Sequence, residues 1–327
     1  MDDNIIKVGV IGTGRWAIQQ IEVFKKNKYT KICAIAGRND QKVKEIADKY
    51  NINGYFDISN MYKFEALDLV SICINGMYNY EYTLYAIKQG VPLLIEKPIS
   101  FFLEEANQIV VEIEKENLFA SINFMHRFGK PVQNAYNAIK KNKLGDIVFF
   151  IWKMEHEGSC NEHEFRNIIE SQCHGIDLIE YLCGEIDSVM AEMTDITKKG
   201  YTTLSVTFKL KNGSIGSYIG SYDSIDTYRP SQFMEISGTK AKITIKDFVR
   251  AYTFQNMGSE EIIQWEPSLK NLKDFQYTIG FDKHITEICR ALILQNGPPI
   301  NVRSGLRALH IAYKIIESFK TGKRVLV

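Results

Sequence analysis

The first 122 residues alternate between two hydrophobic patterns. Runs that are apolar at almost every position occupy 5–11, 31–36, 69–74, 91–95 and 118–122, and segments with apolar residues at i, i+3, i+4 and i+7 lie between them, as at Val43, Ile46, Ala47 and Tyr50. The runs are typical of strands buried on both faces of a sheet, and the spaced segments are typical of amphipathic helices. The alternation predicts an α/β domain with an open parallel sheet.

The pattern changes after residue 123. Helices are predicted up to about residue 143 and over about 166–182, where Gly184 is a plausible C-cap. Apolar and polar residues then alternate over 204–210, Asn212-Gly213 predicts a tight hairpin turn, and further strands are predicted at 215–222, 233–237 and 242–246. The last fifty residues return to a helical pattern. We therefore predict two domains, 1–122 and 123–327, the second an α+β domain on an open, mostly antiparallel sheet.

Composition and charge narrow the class of protein. Forty basic residues against thirty-nine acidic ones leave a net charge of +1, which gives no electrostatic reason to expect nucleic acid or an anionic membrane as a partner. No apolar run reaches the roughly 20 residues that span a bilayer, and Lys7 interrupts the first run, so no signal peptide is predicted. The six cysteines include no Cys-x-x-Cys pair. We expect a cytoplasmic protein without a metal site.

The first predicted strand is followed directly by a G-x-G-x-x-A sequence, Gly12-Thr13-Gly14-Arg15-Trp16-Ala17. Its glycines permit a tight turn and a close approach of the backbone to a pyrophosphate, and the next helix presents free N–H groups to the phosphates. Within a βαβ pattern this sequence predicts a Rossmann-type dinucleotide-binding domain, with residues 12–16 at the cofactor. The alternative is a turn that serves backbone geometry alone.

The end of the second strand bears on the choice of cofactor. A site that prefers NAD usually carries Asp or Glu there, and this chain has Ala36-Gly37-Arg38-Asn39. Because Arg38 is able to pair with a 2′-phosphate, we predict NADP in slight preference to NAD, with Arg38 and Asn39 at the cofactor. The alternatives are that Arg38 is a solvated loop charge and Asn39 a helix cap, and that the nearby Asp40 serves NAD.

Two groups of titratable residues are candidates for the chemistry. The strand predicted at 91–95 runs into Glu96-Lys97-Pro98, at the sheet edge where open α/β folds bind ligands, and we predict Glu96 and Lys97 as cofactor contacts. A lysine beside a nicotinamide is able to stabilise an alkoxide or move a proton. On the helix predicted at 166–182, Glu170, His174 and Asp177 share one face, so Glu170 is placed to orient His174. The alternatives are an ordinary loop lysine and a surface Glu–His pair.

Together these residues resemble the Gfo/Idh/MocA (glucose–fructose oxidoreductase / inositol dehydrogenase) family, over segments 8–17, 69–98, 122–128, 143–147 and 168–186 and the C-terminal helices. The resemblance implies that Lys97, His174 and Glu170, which stands where many members have Asp, line the substrate site beside the nicotinamide. It also implies a homodimer or homotetramer built on the C-terminal sheet. The chain departs from the family in the loop from Ile74 to Asn79, where members have Thr-Pro-Asn followed by a histidine.

The expected function is hydride transfer between NAD(P) and a secondary alcohol of a sugar, polyol or nucleotide-sugar-like substrate. His174 would take the hydroxyl proton and Lys97 would stabilise the alkoxide, or the two would exchange these roles. Substrate contacts are predicted at Arg127, Asp177 and Tyr228. The alternative for Arg127 and Tyr228 is a place in a subunit interface. The alternative is a cofactor- or sugar-sensing protein that uses the same fold without turnover.

Overall fold

The computed structural model describes residues 5–158, 160–227, 230–268 and 278–327, and the chain forms two compact units. The first unit consists of Met1–Phe124 and Phe281–Arg307, and the second of Met125–Gly280 and Ala308–Val327. The sequence-based division at residues 122 and 123 assigned all of the later chain to the second domain. In the structure, the segment Phe281–Arg307 belongs to the first.

The described part of the first unit contains a six-stranded parallel sheet in the order β3-β2-β1-β4-β5-β6, the order of a dinucleotide-binding doubly wound fold. The predicted parallel sheet is therefore confirmed. β3 was not predicted, because it has three residues, two of them exposed, and no apolar run. The strands are β1 (Ile6–Ile11), β2 (Thr30–Ala36), β3 (Asn53–Tyr55), β4 (Leu69–Ile72), β5 (Leu93–Ile95) and β6 (Ala120–Ile122).

Helices follow these strands and bury their apolar stripes against them, as α2 does with Val43, Ile46, Ala47 and Tyr50. α8 begins in the second unit and continues into the first, and α9 passes from the first unit to the second at Arg307. The helices are α1 (Arg15–Lys26), α2 (Asp40–Tyr50), α3 (Ile58–Phe64), α4 (Tyr80–Lys88), α5 (Leu103–Lys115), α8 (Ile279–Ile293) and α9 (Val302–Thr321).

The C-terminal part of the first unit is held by contacts with α1. The Phe281 ring of α8 lies against Phe24, with ring centroids 5.8 Å apart, and is 0% exposed. Asn27, at the end of α1, donates its amide to the Asp282 carboxylate at 2.8 Å and to the Thr286 hydroxyl at 3.0 Å. These apolar and polar contacts account for the return of the chain to its first unit.

The second unit contains a nine-stranded sheet in the order β14-β13-β12-β11-β7-β10-β9-β8-β15 among its described residues. Only β7 and β10 pair in parallel, so the prediction of a mostly antiparallel sheet is confirmed. The strands are β7 (Ile147–Glu155), β8 (Ile186–Thr194), β9 (Thr203–Leu210), β10 (Ile215–Ser221), β11 (Gln232–Gly238), β12 (Ala241–Lys246), β13 (Ala251–Asn256), β14 (Ile263–Trp265) and β15 (Val325–Leu326).

The second unit also contains α6 (Lys130–Lys140), α7 (Cys173–Cys183), a 3₁₀ turn over Met125–Phe128 and the last part of α9. The prediction of one regular helix over 166–182 is wrong. A π-helical turn over Asn167–Ser171 precedes α7, and Gln172 separates the two. The wider turn changes the i, i+4 spacing on which the common face of Glu170 and His174 was predicted. In the described ranges, no helix is long and apolar enough to cross a membrane.

Candidate functional site

The loop from β1 to α1 has the geometry of a dinucleotide-binding turn. Gly12 has φ of +130°, and a Cβ there would lie 2.2 Å from the Cys73 carbonyl oxygen, so only glycine fits. A Cβ at Gly14 would meet nothing within 4 Å, and α1 has no side-chain cap and no acidic residue in its first turn. Open space at uncapped N–H groups is the arrangement that a pyrophosphate requires, so the loop fits the cofactor.

The end of β5 carries the candidate lysine. The Lys97–Pro98 peptide bond is cis, and the half-buried Lys97 follows the buried Glu96. A Cβ at Gly76 would lie 2.8 Å from the Pro98 ring, so the loop after β4 packs closely on this segment. Asn79, which stands where the family has a histidine, is buried and donates its amide to the Ile99 carbonyl at 3.0 Å. This hydrogen bond holds the loop from Ile74 to Asn79 next to the segment that carries Lys97.

Glu96 was predicted as a cofactor contact, but the hydrogen bonds of its side chain go to the interior of the first unit. Its Oε1 accepts from the Trp16 indole, the Gln20 amide and the Asn123 amide, each at 2.5 Å. The residue is 5% exposed, and burial raises the pKa of its carboxyl, against the opposing effect of these donors and of Lys97. The indole of Trp16, also predicted at the cofactor, is one of these partners, so both side chains hold the loop from within.

The residues expected to meet the adenosine ribose lie at the start of α2. Arg38 is exposed, and the Asn39 side chain accepts a hydrogen bond from the Lys42 backbone N–H at 2.9 Å. Asn39 is therefore the N-cap of α2, which was the alternative interpretation of this residue. Its amide oxygen is occupied by the cap, whereas the Arg38 side chain reaches solvent.

In the second unit, His174 lies in the first turn of α7 and is 5% exposed. Its ring contacts the ring of His126, with centroids 4.2 Å apart, and His126 in turn contacts Phe248 at 4.2 Å. The residue after His174 is Gly175, where a Cβ would lie 2.7 Å from the Trp152 indole. The close approach of α7 to Trp152 fixes the backbone that carries the histidine.

Glu170, predicted to orient His174, accepts a hydrogen bond from the Arg166 guanidinium. Arg166 also reaches Glu162, with Nη1 and Oε2 3.5 Å apart. The Glu170 side chain is 26% exposed, so it lies at the surface of the unit and is stabilised by a neighbouring positive charge. The predicted action of Glu170 on His174 stays a prediction.

Arg127 and Asp177, predicted as substrate contacts, pair with each other. The guanidinium donates from Nε to Oδ2 at 2.9 Å and from Nη2 to Oδ1 at 2.5 Å, and it lies over the Tyr181 ring at 4.7 Å. Burial raises the pKa of the Asp177 carboxyl, and the guanidinium opposes this shift. The pair ties the 3₁₀ turn to α7 inside the second unit. Tyr228, the third predicted contact, lies outside the described residues.

Sequence reasoning missed the polar residues that shape the π-helical turn. Asn167 donates to the Thr202 carbonyl at 2.6 Å and accepts from the Gln172 amide at 2.9 Å. The Tyr218 hydroxyl, on β10, donates to the Gln172 side chain at 2.7 Å. All three residues are 0% exposed. The available signal was an asparagine and a glutamine next to the apolar residues Ile168, Ile169 and Cys173, because buried amides need partners.

Comparison with known proteins matches both parts of the chain to models of one family. A family model described as an oxidoreductase family with an NAD-binding Rossmann fold matches residues 6–124. A second model, described as the GFO/IDH/MocA C-terminal domain, matches residues 132–244. The two models carry the same family name and match successive parts of this chain.

Individual relatives have low sequence identity to this chain but match most of its length. YrbE of Bacillus subtilis, an uncharacterized oxidoreductase, is 20% identical, with 98% of this chain and 96% of that protein covered. The myo-inositol 2-dehydrogenase of Thermotoga maritima is 22% identical, with 76% and 77% covered. A solved levoglucosan dehydrogenase in complex with NADH and L-sorbose has a TM-score of 0.88 at 17% identity, with 99% of each chain covered, and so shares the fold. The chain therefore belongs to the Gfo/Idh/MocA family of NAD-binding oxidoreductases.

Proposed function

We propose that this protein is an NAD(P)-dependent dehydrogenase that acts on a secondary alcohol of a sugar, polyol or nucleotide-sugar-like substrate. One observation carries the proposal. The glycine loop after β1 and the lysine after β5 lie at the carboxyl edge of one 3-2-1-4-5-6 sheet, the edge at which such sheets bind dinucleotides. The names of the relatives, an inositol dehydrogenase and a levoglucosan dehydrogenase, support an alcohol of sugar or polyol type.

The chain contributes the polar groups of this reaction. A bound nicotinamide would supply the hydride acceptor or donor for the alcohol carbon. Lys97 stabilises the negative charge that develops on the alcohol oxygen, and His174 takes the hydroxyl proton. The α1 N-terminus and the open space at Gly14 hold the pyrophosphate. Glu170 supports the histidine from the surface of the second unit, with its own charge balanced by Arg166.

The proposal is tested by the change in absorbance at 340 nm across a panel of sugars, polyols and nucleotide sugars with each nicotinamide cofactor. On a competent substrate, we expect Lys97→Ala and His174→Ala each to lower kcat roughly 10²–10⁴-fold, the contribution of one acid–base group. The double variant should lose less than the product of the two single losses, because both residues act on one transition state.

Two outcomes of this experiment would contradict the proposal. Normal turnover in both single variants would remove the assigned roles of Lys97 and His174. Binding of a dinucleotide and a sugar by the wild-type protein, with no turnover across the panel, would favour a sensor on the same fold.

We further propose NADP in slight preference to NAD. The exposed Arg38 and the absence of a carboxylate at the end of β2 support this choice, and the description of the family model supports retaining NAD as the second cofactor. The cytoplasmic location expected from the sequence remains a prediction.

We also propose a homodimer or homotetramer. One face of the nine-stranded sheet presents Ile151, Ile215 and Ile219 to solvent, with exposures of 39%, 59% and 40%. They lie on the neighbouring strands β7 and β10 and point to the same side of the sheet, since the parallel register places them on one face and the alternate residues Trp152 and Tyr218 are buried. An apolar surface of this kind is typical of subunit contacts.

A further inference from the structure

A continuous chain of polar side chains runs through the core of the first unit, from α8 to the start of α1. The His284 ring is 0% exposed and lies between Ser121 and Asn123, with Nε2 3.1 Å from the Ser121 hydroxyl and Nδ1 3.2 Å from the Asn123 side-chain oxygen. The Asn123 amide donates to Glu96 at 2.5 Å, and Glu96 also accepts from Trp16.

The Asn123 side chain has one orientation that agrees with its partners. An ionised carboxylate only accepts hydrogen bonds, so the group that faces Glu96 is the NH₂ of the asparagine. The carbonyl oxygen of the same amide therefore faces His284. Because an amide oxygen also only accepts, Nδ1 of His284 must carry a proton and donate it.

The protonation of the second ring nitrogen of His284, Nε2, depends on where the Ser121 hydroxyl directs its proton. This hydroxyl has one proton, and its oxygen lies 3.0 Å from the Ile300 carbonyl oxygen, which accepts only. When the serine proton goes to Ile300, the serine oxygen accepts from Nε2 of His284, whereas a serine that donates to Nε2 leaves that nitrogen without a proton. In the first arrangement both nitrogens donate, so the ring is an imidazolium whose positive charge faces the Glu96 carboxylate across one amide group. Paired in this way, the two charges compensate each other in the core.

We propose that His284 is a positioning residue of the dinucleotide site: as a buried imidazolium it holds Asn123, and through Asn123 the Glu96 carboxylate, against the indole of Trp16. Trp16 lies in the first turn of α1, directly after the glycine loop, and the Lys97 backbone N–H lies 3.2 Å from the second oxygen of Glu96. One charged pair therefore fixes both the helix start that receives the pyrophosphate and the segment that carries the lysine. The role in cofactor binding depends on the proposed function, and the charge of the ring does not.

The charge of the ring is measured directly by ¹⁵N NMR of histidine-labelled, ligand-free protein at pH 7, with the signals of His284 assigned by their loss in His284→Asn. We expect both ring nitrogens to have the chemical shifts of protonated nitrogens. In Glu96→Gln, which keeps an acceptor but removes the negative charge, we expect one nitrogen to lose its proton. A neutral ring in the wild-type protein, or an imidazolium unchanged in Glu96→Gln, would overturn the proposal.

The positioning role is measured as the dissociation constant of NADH and NADPH. We expect His284→Asn to bind the preferred cofactor about tenfold more weakly, which corresponds to about 1.4 kcal/mol. The same substitution at His310, on α9, is the matched control and should leave the affinity unchanged. Wild-type affinity in a folded His284→Asn would overturn the positioning role. If the wild-type protein bound neither dinucleotide, the proposed function and this role would both fail, whereas the nitrogen shifts would still decide the charge of the ring.

Discussion

The two glycines of the dinucleotide loop exclude a side chain for different physical reasons. Gly12 combines a φ of +130° with a carbonyl oxygen 2.2 Å from the position of a Cβ, whereas Gly14 has a φ of −76° and open space. In the absence of cofactor, Gly12→Ala should lower the free energy of unfolding by roughly 1–3 kcal/mol or more. Gly14→Ala should change it by less than about 0.5 kcal/mol.

Gly14→Ala should affect cofactor binding more than it affects stability, because a methyl group at position 14 projects into the space kept for the pyrophosphate. We expect the folded Gly14→Ala variant to bind NADH or NADPH at least roughly tenfold more weakly, since close approach of the backbone is lost. Thermal unfolding and fluorescence titration measure the two effects. Unchanged affinity in Gly14→Ala would show that the loop does not hold the phosphates.

Arg38 allows the cofactor preference to be tested at a single side chain. Arg38→Ala should weaken NADPH binding roughly 10- to 150-fold and leave NADH binding nearly unchanged, because a charge-assisted hydrogen bond to a 2′-phosphate contributes about 1.5–3 kcal/mol. Lys44→Ala, a change of an exposed cation on α2, is the control and should affect neither. If Arg38→Ala weakened the binding of NADPH and NADH equally, the proposed preference for NADP would be contradicted.

At the scale of elements, the Arg127–Asp177 pair links the 3₁₀ turn and α7. Asp177→Asn leaves the guanidinium of Arg127 without its buried charge partner, so we expect a loss of about 3–5 kcal/mol of stability. Glu317→Gln breaks an exposed pair with Lys314 on α9 and should cost less than about 1 kcal/mol. Denaturant unfolding compares the two variants, and similar small losses would show that the pair does not hold the turn.

The elements that were predicted correctly have strong apolar periodicity. β1 and α2 were identified because burial on both faces or on one stripe leaves a local pattern in the sequence. The π-helical turn at Asn167–Ser171 was missed because it depends on Tyr218 of β10, which is distant in the sequence. Local periodicity carries no information about such a partner.

The same distinction applies to the candidate site. The glycine loop and Lys97 were predicted as site residues because a strand end followed by a motif is a local signal. The inward direction of Glu96 depends on Gln20 and Asn123, which no motif connects to it. The capping role of Asn39 was available as an alternative, since a polar residue at the start of a helix is also a local signal.

At the scale of the whole molecule, the exposed apolar face of the nine-stranded sheet gives a prediction about assembly. Ile219 on β10 lies beside Lys153 on β7, so Ile219→Lys would add a second positive charge to this face. We expect the wild-type protein to be a dimer or tetramer by light scattering after size exclusion, and the variant to have a smaller mass. Ile196→Lys, a change of an 82% exposed residue outside the sheet, is the control. A monomeric wild-type protein would contradict the proposed assembly.

The discontinuous makeup of the first unit has a consequence for biosynthesis. Its last segment, Phe281–Arg307, follows Phe124 along the chain by more than 150 residues. At a translation rate of roughly 5–20 residues per second, the ribosome needs on the order of 10–40 s to deliver it. During that interval the nascent unit has no Phe281 to cover Phe24 and no His284 beside Asn123. The first unit is thus begun before Met125–Gly280 of the second unit is made and is completed only after it.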